Sequence, residues 1–164
     1  MRLLAALLIG LPSCAAQVVV NEVLGNPDAP NTEEWAEIYN AGAATVDVSG
    51  WQISDDRGHG ATGAVTLAAG ATLGAGARLV VVLRDSDGYL NNGGDGVQLH
   101  DASAALIDSV SWTAAFGGDL ALARQPDGGS WATGWVAPTR DAANAAAAAA
   151  GGSGGLGASL AASP

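Results

Sequence analysis

Apolar and polar positions alternate in short bursts along the chain, with turn-forming residues between them. Val18-Val19-Val20-Asn21-Glu22-Val23 is β-branched and predicts a strand. The Gly, Asn and Pro residues of 25–31 predict a turn. Residues 34–40 predict a second strand, in which period two places Ala36 and Ile38 on one face and Trp35, Glu37 and Tyr39 on the other. Residues 45–48 predict a short strand, and Ser49-Gly50 a tight bend. Trp51 and Ile53 then point inward from a strand over 51–54.

Residues 55–63 form a polar, glycine-rich loop, 65–67 a further strand, and 68–76 a stretch without strand character. The run 78–83 is the most continuous apolar piece and predicts a central strand buried on both faces. Val97 and Leu99 face inward from the next strand, and 106–112, 120–124 and 130–136 predict the last three. About nine short strands with no amphipathic helix predict an all-β antiparallel sandwich or barrel.

The two flanks differ from this body. Arg2 precedes an apolar stretch over 3–11, broken only by Gly10, and Pro12, Ser13, Cys14, Ala15 and Ala16 follow. A positive start, a short apolar run and small residues predict an export signal over 1–16. Nine residues are too few to span a ~30 Å hydrocarbon core as a helix. Cleavage after Ala15 or Ala16 leaves a start near Gln17. Alternatively, Leu11-Pro12-Ser13-Cys14 resembles a bacterial lipobox, which makes Cys14 a lipidation site and the only route to the membrane. At the other end, 145–164 is an alanine run followed by Gly and Ser, the composition of a flexible tail.

Charge narrows the partners. Sixteen acidic residues face six arginines and no lysine, for a net charge of −10. Such a surface repels phosphate backbones and disfavours direct nucleic-acid binding. Cys14 is the only cysteine, so neither a disulfide scaffold nor a thiolate metal site is expected.

Several motifs match formally. Gly58-His59-Gly60-Ala61-Thr62-Gly63 fits a dinucleotide fingerprint but lacks the helix that must follow it. Gly151-Gly152-Ser153-Gly154-Gly155 fits a nucleophile elbow with no histidine downstream. His59 and His100 are distant in sequence, and each reads as an exposed surface residue. Asp85-Ser86-Asp87-Gly88 matches part of a Ca²⁺ loop, with Gly96 where an EF-hand needs Glu; Asp55 and Asp56 are candidate additions to such a cluster. Trp51 and Trp112 read as core, whereas Trp35, Trp131 and Trp135 leave a carbohydrate platform open. Glu22, Glu34 and Glu37 show no strand spacing that pairs carboxylates across a cleft.

The ordered set of pieces resembles the lamin tail domain, in its bacterial secreted form. The pieces are Asn21-Glu22-Val23, Glu34-Trp35-Ala36-Glu37-Ile38-Tyr39-Asn40, residues 46–53 with Ser49-Gly50-Trp51, the glycine-containing approach 73–76, the apolar strand 79–83, residues 94–99 from Gly94-Asp95-Gly96, residues 107–112 from Ile107-Asp108-Ser109, Arg124-Gln125-Pro126-Asp127-Gly128, Trp131 and residues 138–144 ending in Asn144. The resemblance covers 17–144. It implies an immunoglobulin-like β-sandwich with structural roles for Glu22, Glu34, Trp35, Glu37, Asn40, Gly50, Trp51, Asp95, Asp108, Arg124, Trp131 and Asn144. Arg140-Asp141 stand where the family usually has Pro-Gly. The resemblance also implies an interaction module without catalysis of its own. The expectation is thus an exported, extracellular or envelope-bound, non-enzymatic module with no cofactor, whose partner is an unidentified protein or envelope ligand. A carbohydrate- or Ca²⁺-dependent binding module, or an accessory domain to a secreted nuclease or phosphoesterase, is the alternative.

Overall fold

The alternation in the first strand slips by one residue at Asn21, and this slip organises one side of the molecule. In the computed structural model, which describes residues 17–28, 33–84, 89–115, 117–145 and 161–162, β1 (Val18–Leu24) pairs antiparallel with β2 (Glu34–Asn40). Val20 opposes Ile38 and Glu22 opposes Glu37, so Asn21 is the extra residue of a β-bulge. Val18 and Val20 before the bulge, and Val23 after it, therefore all face the core. Glu22 and Leu24 share the opposite face with Glu37 and Trp35.

Eleven short strands are present among the described residues. The remaining nine are β3 (Val46–Asp47), β4 (Gln52–Asp55), β5 (Val65–Thr66), β6 (Thr72–Leu73), β7 (Arg78–Arg84), β8 (Asp95–His100), β9 (Leu106–Trp112), β10 (Leu122–Ala123) and β11 (Ala161–Ala162). One sheet runs β10-β1-β2-β7, a second β11-β9-β8-β4-β5, and β3-β6 forms a small ribbon. Every pairing is antiparallel. The main core lies between the two large sheets and takes Ala36, Ile38, Trp51, Ile53, Val97, Leu99, Val110 and Trp112. This is the expected all-β sandwich, with the inward positions where period two put them.

Three local expectations are corrected. The apolar run of β7 is not central: among the described residues it pairs only with β2, at the sheet edge, and its side chains are largely half-buried. A continuous apolar run does not specify a strand's neighbours. Thr72–Leu73, within the stretch read as strandless, forms β6 against β3. Residues 130–136 make only isolated bridges, Arg124 with Trp131 and Ala121 with Val136.

The segment after β10 covers the outer face of the four-stranded sheet. Beneath it, Leu24, Trp35 and Ala121, the residue just before β10, form a small apolar cluster with Val80 against them.

Candidate functional site

Glu22 and Glu37 stand opposite each other on that covered face, and both are 0 % exposed. The spacing along each strand hid the pair, because the strand register and the Asn21 bulge bring it together. Each carboxylate is held by the C-terminal segment. Thr139 N donates to Glu22 Oε1 at 2.8 Å, and Thr139 Oγ1 lies 2.9 Å from Glu22 Oε2. Asp141 N donates to Glu37 Oε2 at 2.9 Å, and Asn21 Nδ2 donates to Glu37 Oε1 at 3.0 Å. Asp127 joins from the same segment: it accepts from Asn21 Nδ2 at 2.9 Å and from Asn144 N at 3.1 Å, and is ion-paired to Arg78.

Burial raises the Glu22 pKa to about 7, against the lowering effect of Thr139 and with repulsion from Glu37 and Asp127 adding to the rise. Burial likewise raises Glu37. At Asp127 burial acts upward but is outweighed by hydrogen bonds from Arg78 and Asn21, which leave it lowered.

The hydrogen bonds around Glu22 also accommodate a proton on it. Asn144 Nδ2 donates to Arg124 O at 2.9 Å and to Asn21 O at 3.3 Å, which turns its Oδ1 to the Thr139 hydroxyl. Thr139 has one hydroxyl proton for two acceptors. With that proton on Asn144, a protonated Glu22 Oε2 completes the network.

The seam between the two large sheets is closed by Asp108 of β9 and Arg124, which follows β10. Asp108 Oδ2 accepts from Val20 N at 2.8 Å and from Arg124 Nη2 at 3.0 Å. Arg124 Nε donates to Val20 O at 2.9 Å and Nη1 to Gly129 O at 2.9 Å. Its guanidinium lies 4.7 Å from the ring centre of Trp131.

The other family-pattern residues fix loops. Glu34, buried, accepts from Tyr89 N at 3.0 Å and Leu90 N at 2.8 Å. Asn40 bridges Ala44 O, Leu73 O and Gly42 N. Gly50 turns the chain at φ +72°. Asp95 accepts from Asn91 N and Nδ2 and from Gly96 N. Trp35, Trp51 and Trp112 are buried, while Trp131 and Trp135 pack half-buried against the core. Buried Trp35, Trp51 and Trp112 therefore form no open aromatic platform.

His100 corrects the surface reading. It does point away from the core, but it is buried, because the glycine loop between β4 and β5 folds back over it and brings His59 against its ring. Burial, then the neighbouring His59, lower its pKa. Period two assigns a face; it does not reveal what covers that face. The Gly58–Gly63 motif itself is a turn between two antiparallel strands with no helix after it. Among the described residues, no three His, Cys, Asp or Glu side chains are grouped to hold a metal. Cys14, the Asp85–Gly88 motif and Gly151–Gly155 lie outside the described residues.

The geometry is thus a set of carboxylates and arginines committed to holding loops and sheets in place. No curated protein and no solved structure matches the chain. The lamin tail domain family matches residues 12–114, well over half the sequence. That family is an immunoglobulin-like, non-catalytic interaction domain, and its match agrees with the sandwich and its core. This chain belongs to the lamin tail domain family.

Proposed function

We propose that the chain is an exported, non-enzymatic interaction module whose partner is a protein or a cell-envelope surface. The observation that carries this reading is the use made of its buried carboxylates. Glu22, Glu34, Glu37, Asp95 and Asp108 each accept hydrogen bonds from the chain's own loops and strands. General acid or base catalysis needs such a group turned toward a substrate.

Charge supports the choice of partner. Arg57, Arg78, Arg124 and Arg140 are each paired with a carboxylate. Asp28, Asp47, Asp56, Asp119 and Asp141 are exposed. A basic or neutral polar partner surface complements this better than an anionic polymer does. Export is supported by the pattern of residues 1–16.

The test is a bacterial host expressing the full chain with a photo-cross-linking residue in place of Leu106, which is 48 % exposed. A processed or Cys14-lipidated chain outside the cytoplasm, cross-linked to a discrete envelope or extracellular protein, supports the proposal. An unprocessed cytoplasmic chain, or one that yields no adduct, refutes it.

A further inference from the structure

The chain has two histidines, and the fold places their rings 5.6 Å apart, edge to face at 73°. His100 ends β8, opposite Gln52 of β4 in the strand register. His59 arrives on the glycine loop, which is fastened to the same face. Gly60 N donates to Gln52 Oε1 at 2.6 Å, and Gln98 Nε2 donates to Asp56 O at 3.4 Å. Gly58 and Gly60, at φ +87° and +77°, supply the backbone turn that brings the loop back.

Two features of this pair point to a ligand. His100 is 6 % exposed, and its Nδ1 is buried without a hydrogen-bond partner, an arrangement that carries a desolvation cost. With nitrogens about 2.0–2.1 Å from an ion at near-tetrahedral angles, two ligand imidazoles centre roughly 5–6 Å apart. The separation here falls in that range.

We propose that His59 and His100 form a two-histidine site for a divalent ion of the zinc, nickel and copper group. Imidazole suits these ions, whereas Ca²⁺ and Mg²⁺ take oxygen ligands. Because no larger set of metal-binding side chains converges among the described residues, the ion's other positions fall to water or to a donor from a partner. Asp101, the neighbouring acid, holds its own turn instead: its Oδ1 accepts from Ser103 N, Ser103 Oγ and Ala105 N. A bound ion would pin the glycine loop to β8.

The test is a Zn²⁺ titration of the full chain without a histidine tag, followed by calorimetry and by ¹⁵N spectra of the two imidazoles. The expected result is one ion per chain and nitrogen shifts at both histidines together. Affinity should fall at least tenfold in H59A, which removes one of the two imidazole ligands. His59 is exposed, so H59A should fold, and an unchanged metal-free melting curve checks that. Undiminished affinity in H59A, a shift at only one imidazole, or equal displacement by Ca²⁺ would overturn the proposal.

Discussion

Arg124 Nη2 lies 3.0 Å from Asp108 Oδ2, and this ion pair ties one large sheet to the other. Both side chains also hold the backbone of Val20, one at its N–H and one at its carbonyl. Neither residue is near the other in sequence, yet the pair is nearly buried, so removing one partner leaves an uncompensated charge at the seam. Arg124→Ala and Asp108→Ala should each cost about 3 kcal/mol in urea unfolding. The double variant should cost clearly less than their sum. Strict additivity, or losses near zero, would show that the seam is held by packing alone. Arg124→Lys should not rescue stability, because one ammonium cannot reproduce the guanidinium's separate bonds to Val20, Gly129 and Asp108.

Glu22 makes stability fall as pH rises. Its folded-state pKa of about 7 lies above its ordinary 4.5. The native state therefore holds a proton that the unfolded chain has released, and the stabilisation present below about pH 4.5 is lost by about pH 7. At about 1.4 kcal/mol per unit, the span amounts to roughly 3 kcal/mol. Glu37, also raised, acts in the same direction. Glu22→Gln presents an amide that can donate to Thr139 as the protonated acid does. It should be more stable than the parent at pH 8 and should flatten the slope between pH 5 and 7. A variant as pH-dependent as the parent would assign that slope to other groups.

His100 should titrate below the ordinary histidine range, since burial and then His59 oppose its charge. Its contribution has the opposite sign to that of Glu22: stability present above about 6.5 is lost as pH falls through the folded-state pKa. In H59A the one remaining imidazole should titrate higher than in the parent, as followed by NMR. An unmoved midpoint would mean the two rings do not interact in solution.

Asp141 stands in left-handed backbone, φ +58°, one residue after Arg140. These are the two positions at which the family resemblance leads one to expect Pro and Gly, and the geometry of the turn is kept by an L residue. The Asp141 amide still reaches Glu37. Asp141→Gly should therefore raise stability by about 0.5–1 kcal/mol, because glycine adopts this conformation without Cβ strain. A loss of stability in thermal unfolding would show that the Asp141 side chain contributes more than its backbone costs.

Much of the fold was legible in the residues themselves. Period two put Ala36 and Ile38, Trp51 and Ile53, and Val97 and Leu99 on the core side, and all six are buried there. Turn residues divided the strands, and the ordered motifs pointed to the family that the chain proves to match. A local pattern suffices for this because alternation and turn chemistry act between near neighbours in the chain. The tertiary structure decided what lies over the polar faces. Glu37 and His100 occupy the side expected of them and Glu22 is moved to its side by the Asn21 bulge, yet all three are buried, because the segments 124–144 and 56–64 fold over them. Those covers carry no hydrophobic period. They are held by hydrogen bonds between residues as distant as Glu22 and Thr139, and such contacts exist only once strand register and the Asn21 bulge have set the distances.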